Sequence, residues 1–239
     1  VTDAKMPREY DTNTTSDDLL KDLSGEIKGK TILTTGVSPG TLGGHFVLSI
    51  AKAQPAALIL AGRSLKKSQE TADAIKAAHP DIDVRTLQLD LSSFAAVREA
   101  AATVNSWKDV PHIDVLVNNA GLMATDFKLT DDGYELQFAS NHLGHFLFTN
   151  LIISKLLASK APRVVNVSSD GHRLNPIRWA DYNFRVCFPL IVPLIVWNVL
   201  LNFLLTERAI RTAKHIIDGV HMGSQKQPTY SQPFLWQKS

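Results

Sequence analysis

The 239-residue sequence is short of cysteine and of net charge, and each shortage narrows what it encodes. Cys187 is the single cysteine, which excludes an internal disulfide framework and any multi-cysteine zinc site, and so argues against a secreted, stapled fold. Lys and Arg total 25 against 23 for Asp and Glu, a formal net charge of +2. That balance supplies no basic field for nucleic acid and no acidic tail. Residues 1–27 are polar and acidic and lack the apolar core of a signal peptide, so a cytoplasmic location is expected, with Met6 as an alternative start to Val1. No internal repeat or low-complexity tract interrupts the chain.

What is present has ordinary globular proportions, 44% hydrophobic and 20% charged residues in a length that suits one α/β domain. Apolar runs rich in Val, Ile and Leu predict buried strands over 31–35, 57–61, 84–89, 113–118 and 163–168. Helical spacing separates them. Residues 65–78 place Ala72, Ile75 and Ala78 opposite a charged face, and 92–107 open on Ser92 and Ser93 as caps for a stripe of Phe94, Val97, Ala101 and Val104. Two further helical pieces are expected over 131–157. Strand–helix alternation with such short connections predicts a parallel sheet covered on both faces.

The first strand runs into Thr35-Gly36-Val37-Ser38-Pro39-Gly40-Thr41-Leu42-Gly43-Gly44, and a helix pattern begins near Leu42. Glycines at a strand-to-helix junction let the backbone turn and approach a pyrophosphate, which the helix N-terminus attracts. The second strand ends at Gly62-Arg63-Ser64, where a dinucleotide fold reads the adenosine ribose. Arginine there suits a 2′-phosphate and favours NADP over NAD, the bland alternative being a solvated helix-start residue. Asp90-Leu91 and Asn118-Asn119-Ala120-Gly121 end the third and fourth strands, the edge where open α/β sheets bind ligands.

Taken together, the Gly36…Gly40…Gly43 turn, Asp90-Leu91, the Asn-Asn-Ala-Gly run at 118–121, Asn141 in NHLGHF and the VVNVSS strand at 164–169 resemble the short-chain dehydrogenase/reductase family. The wording of NHLGHF and VNVSSDGHR is most similar to its retinol-dehydrogenase-like, fungal-type members. The resemblance covers 28–185 and implies an α/β fold with a Rossmann-type doubly wound parallel sheet, here C-terminally truncated. It implies NADP(H)-dependent hydride transfer between an alcohol and an aldehyde or ketone, so the expected partner is a small-molecule substrate rather than nucleic acid. Cofactor contacts are then expected from Gly36, Ser38, Gly40, Leu42, Gly43, Arg63, Ser64, Asp90, Leu91, Asn118, Ala120 and Gly121, with Asp90 on the adenine amino group. Asn141 would position a helix and a proton-relay water, and Ser169, ahead of Ser168, would hydrogen-bond the substrate oxygen. One departure stands in the glycine motif, where G-x-x-x-G-x-G becomes G-x-x-x-G-x-x-G; it is expected to displace the turn without removing its amides.

The family's reaction also uses a tyrosine as acid/base and a lysine four residues later, because a phenol of pKa about 10 needs a neighbouring cation to work near neutrality. No such pair follows Ser169: the fourth residue after Tyr182 is Val186, and after Tyr230 it is Phe234. The literal chain is therefore expected to be inactive, and a non-catalytic nucleotide-binding protein is the alternative function. The genetic code suggests a cause. Joining the last base of each codon from Arg211 onward to the first two of the next, the permitted codons spell DGKTYNRWRAYGQSKTANIL, which restores the tyrosine and the lysine. Val186 requires an intron's GT donor, and Ile210-Arg211 permits an AG acceptor. A retained intron followed by a shifted frame is thus the reading of 186–239, and sequencing the spliced message across codons 185–212 tests it. The division expected is a polar extension at 1–27, the dinucleotide-binding domain at 28–185 and a non-family tail beyond.

Within that tail, 186–205 are twenty residues without a charge, about the length of a membrane span, so membrane association is the alternative to a cytoplasmic location. Pro189, Pro193, Asn198 and Asn202 weaken that alternative. His142, His145 and His172 have no ligand set of metal-binding spacing and are assigned capping or surface positions, with no metal expected. Trp179, Phe127, Phe138, Phe146 and Phe148 are assigned to core packing. The oligomeric state is left open.

Overall fold

Residues 10–11, 13–169 and 178–185 are described by a computed structural model. The apolar runs form strands β1 (Thr31–Thr35), β2 (Ala57–Gly62), β3 (Asp83–Gln88), β4 (Val115–Asn118) and β5 (Arg163–Asn166). They pair in parallel in the order β3-β2-β1-β4-β5. The chain leaves β3 at one edge and re-enters on the far side of β1, so a topological switch point lies between β1 and β4. The third to fifth strands are displaced or shorter than the runs predict. β5 stops with the end of its partner, since its register runs from Val115 opposite Arg163 to Asn118 opposite Asn166.

Side chains of a strand alternate between faces, and here both faces are covered. Ile32, Leu58 and Leu60 point to one side, where they pack with Val47 and Ile50 of α2 (Leu42–Ala51) and Ala72 and Ile75 of α3 (Leu65–Ala78). Leu33, Ile59 and Leu116 point to the other, against Val97, Ala101 and Val104 of α4 (Phe94–Ser106). The expected stripe on that helix is the buried one, and Ser93 is the cap: its hydroxyl accepts from the Ala96 amide. Phe94 at the stripe's edge has its amide bonded to Asp132 at 2.9 Å.

Residues 16–27, read only as part of a polar extension, fold as α1 (Ser16–Ile27) behind a Thr15–Asp18 capping box. This helix buries no residue fully and lies against α2, tied by Lys52 to Asp17 at 2.8 Å. The region expected to hold two helical pieces is more broken. It contains α5 (Leu136–Phe138), a π-turn at Ala139–Leu143, α6 (Gly144–Leu151) and α7 (Ile153–Leu157).

The aromatic assignments need correction. Phe138 and Phe148 are buried, but Phe127 and Phe146 are each 50% exposed and Trp179 is 73% exposed. Helical geometry explains Phe146, because two positions apart on a helix point to nearly opposite sides and Phe148 takes the core side. Phe127 and Trp179 lie in irregular segments with no periodic face to bury. Among the described residues no helix is long and apolar enough to cross a membrane, and the apolar stretch 186–205 lies outside them.

Candidate functional site

A cleft of about 390 Å³ opens at the carboxyl ends of β1 and β2 and reaches the turns that follow β3 and β4. Its floor is the glycine turn. Gly36 has φ of +75°, and a Cβ there would meet the Ala120 Cα at 2.7 Å, so only glycine lets these two turns touch. Gly43 is crowded in the same way by the Asn119 side chain and the Gly36 carbonyl. Thr41, between Gly40 and Gly43, is the N-cap of α2. The Thr41 hydroxyl donates to the Ser38 carbonyl at 2.7 Å and accepts from the Gly44 amide at 3.1 Å. Leu42, in the first helical turn, stays 81% exposed beside the cleft.

Of the residues expected at a cofactor, Gly36, Ser38, Leu42, Gly43, Arg63, Ser64, Asp90, Leu91, Ala120 and Gly121 all line this cleft. Gly40 sits in the turn without lining it. Asn118 is also outside: it is 4% exposed, and its amide nitrogen donates to Thr149 at 3.2 Å and Asn166 at 2.8 Å, joining β4 to α6 and β5. Asn119 takes the position facing the cleft and donates to the Thr35 carbonyl at 2.8 Å. A strand's alternation sends adjacent asparagines to different sides, which the bare run Asn-Asn does not resolve.

Asn141 stands behind the cleft. Its side chain accepts from the Leu122 amide at 2.7 Å and donates to the Leu122 carbonyl at 2.8 Å, clamping the loop after β4 from both sides. Asp90 accepts from the Ser92 amide at 2.9 Å and the Ser92 hydroxyl at 2.6 Å, an Asx turn at the cleft wall. Ser168 and Ser169 are exposed beyond the end of β5 and do not line the cleft.

Several lining residues went unread in the sequence. Lys67 lies near Arg63 and Ser64, in the first turn of α3 behind its Ser64 cap, so two cations share one end of the cleft. The signal was there in the short spacing from Arg63 across a helix start. Thr35 links the two turns: its hydroxyl oxygen accepts from the Asn119 amide at 3.0 Å and the Ala120 amide at 2.9 Å. Ser140, in the π-turn, also lines the cleft, and no local pattern announces that.

The histidine assignments also need correction. His142 and His145 are buried, at 4% and 1% exposure, and His172 lies outside the described residues. Burial pushes the His145 imidazole down to about 4, its bond to the Asn141 backbone opposes that, and the nearby His142 adds to the fall.

Strand order defines a Rossmann-type α/β protein, and the cleft opens at its switch point. The short chain dehydrogenase family matches residues 30–183, and the chain belongs to that family. Oxidoreductase fscI of Fusarium equiseti is 38% identical over 180 residues, covering 73% of this chain and 69% of that protein. Retinol dehydrogenase 13 of Homo sapiens is 38% identical over 159 residues, covering 66% of this chain and 47% of its own length. The chain thus spans about half the length of that relative. Among solved structures, a protein from Mycobacterium paratuberculosis superposes with a TM-score of 0.65 at 29% identity, covering 81% of this chain and 67% of that one. An NAD+-bound xylitol dehydrogenase shares the fold with a TM-score of 0.59 at 22% identity, covering 80% of this chain and 62% of that one.

Proposed function

We propose that the cleft binds a nicotinamide dinucleotide, NADP(H) ahead of NAD(H), on the plan of an oxidoreductase acting between an alcohol and an aldehyde or ketone. The observation that carries the reading is the pairing of the Gly36–Ala120 contact with Arg63, Ser64 and Lys67 along one cleft. Two backbones held that close leave peptide N–H groups facing a pyrophosphate, and the N-terminus of α2 adds its dipole. Gly36, Ser38, Leu42 and Gly43 form this cradle, and Gly40 shapes the turn that carries them.

Arg63 and Ser64, joined by Lys67, take the adenosine 2′-phosphate. A guanidinium and an ammonium on an exposed dianion favour it over the bare hydroxyl of NAD. Asp90 accepts from the adenine amino group beside Leu91. Ala120 and Gly121 line the middle of the cofactor, with Asn118 supporting them from the buried side and Asn141 holding the loop behind. The dinucleotide, when bound, supplies the hydride that is exchanged with a carbonyl carbon. Ser169 is assigned to the substrate oxygen, and the named retinol dehydrogenases among the relatives support a lipophilic alcohol or aldehyde as substrate class.

The absence of a Tyr-x-x-x-Lys pair after Ser169 favours a second reading, a nucleotide-binding protein without turnover, and for the literal chain we take that outcome. It belongs with the division into an extension at 1–27, a cofactor domain at 28–185 and a frame-shifted tail beyond. Location in the cytoplasm accompanies it, with membrane contact through 186–205 as the alternative.

Calorimetric titration of the full chain with NADPH and NADH, alongside an aldehyde turnover assay, tests all of this. NADPH is expected to bind about tenfold more tightly than NADH, Arg63→Ala to abolish the difference, and turnover to be absent. Equal affinities refute the NADP assignment. No heat with either dinucleotide refutes the site, and normal turnover refutes the inactivity.

A further inference from the structure

Resting on that reading, a chain of buried hydrogen bonds lies behind the cleft and begins at Thr35. Thr35 has a single hydroxyl, and both of its acceptor positions are taken by the Asn119 and Ala120 amides at 3.0 and 2.9 Å. Its proton is therefore free to go only to a third partner, and His145 Nε2 stands 2.9 Å away. Nε2 must then accept, which places the imidazole proton on Nδ1. That nitrogen lies 3.1 Å from the Asn141 carbonyl, and so donates to it.

The result is one directed chain of hydrogen bonds. It runs from the amides of the turn after β4, through Thr35 at the end of β1, through His145 on α6, to the backbone of Asn141 in the π-turn. The π-turn itself is closed by the Gly144 amide reaching back to the Ala139 carbonyl, a five-residue loop in place of the α-helical four. Asn141 clamps Leu122 with its side chain, so both ends of the chain return to the same cleft-forming loop.

We infer that His145 is a positioning residue for dinucleotide binding: as a neutral imidazole in one tautomer, it sets the Thr35 hydroxyl and the Asn141 carbonyl that together hold the Asn119–Leu122 loop against the glycine turn. It does not line the cleft. Burial keeps it neutral, and the groups at its two ring nitrogens, the Thr35 hydroxyl and the Asn141 carbonyl, are uncharged. The helix α4, packed on α6, turns Val97, Ala101 and Val104 inward, and His142 is the titratable neighbour that acts on it.

The test uses the full chain, with NADPH as probe and histidine ring nitrogens labelled for NMR. In the native protein His145 is expected to show the Nδ1–H tautomer with no titration between about pH 5 and 8. His145→Leu is expected to weaken NADPH about tenfold, measured below the melting transitions of both proteins. His145→Gln, which keeps an acceptor and a donor on one amide, should recover most of that loss. Thr35→Val should weaken binding to a similar degree, and adding His145→Leu to it should cost little more. An Nε2–H tautomer, a midpoint near the ordinary 6.5, or native NADPH affinity in a folded His145→Leu protein each overturns the inference. If His145→Leu does not fold, the tautomer of the native chain decides. If the native chain binds no NADPH, the proposed function falls instead, and the tautomer still reports on His145.

Discussion

β1 and β5 lie on either side of β4 in the same sheet, yet their environments differ sharply. All five residues of β1 are buried, whereas β5 alternates exposed and half-buried positions, with Val165 46% exposed. β1 is paired on both sides, by β2 and β4, and covered on both faces; among the described residues β5 is paired on one side only. The same division runs through the candidate site. Residues proposed for the cofactor sit on turns braced by two strands and a helix, while Ser169, proposed for the substrate, follows the exposed edge. Among the described residues the sheet is packed most fully at β1 and β2, beneath the glycine turn, and least at β5.

Substitutions sharpen this contrast. Leu33→Ala, in the centre of β1, is expected to cost about 3–4 kcal/mol in denaturant unfolding, since a fully buried leucine loses both transfer energy and packing. A cost near zero would dissolve the comparison. Gly36→Ala should destabilise by about 2 kcal/mol and remove NADPH binding altogether, because the added Cβ meets Ala120 at a positive φ. Retained binding in that variant would show that the two turns need not touch.

Asp114 ties the opposite end of β1, its carboxylate accepting from the Thr31 amide at 2.9 Å and the Ser159 hydroxyl at 2.6 Å. Burial by itself raises this carboxyl, but the Ser159 and Thr31 hydrogen bonds, helped by the His112 and Lys30 charges, hold it below the ordinary 3.8. A lowered carboxylate contributes stability above its unfolded value and loses it as pH falls through the folded one, so the effect begins to fade below about pH 4 and is gone once pH drops beneath the folded value. Asp114→Asn should therefore cost about 1–2 kcal/mol near pH 7 and flatten the acid limb of the melting curve. Val165→Ala on the exposed edge is expected to change stability by less than about 0.5 kcal/mol. A large loss there would mean that β5 is covered more fully than its exposure indicates.

The parallel strands, helix faces and the glycine turn were legible because each is written in local spacing: a short apolar run in β1, the Val97–Ala101–Val104 stripe, glycine at a strand end. Arg63 and Asp90 were legible for the same reason, as they end strands. The burial of His145, the turn of Asn118 into the interior away from the cleft and the exposure of Trp179 were not. Each depends on which neighbour arrives from elsewhere in the chain. For His145 that neighbour is Thr35, distant by 110 residues in sequence.

By itself, then, the sequence determined a parallel α/β sheet, a glycine turn where the first strand meets its helix and a cation at the end of the second strand. These are properties of periodicity and residue chemistry that a linear chain carries openly. Only the tertiary structure decided that Asn119 rather than Asn118 faces the cleft, that Lys67 joins Arg63, and that a buried imidazole links two turns. Those outcomes depend on packing between distant segments, where a hydrogen bond's direction and a side chain's burial are set by the partner across the core.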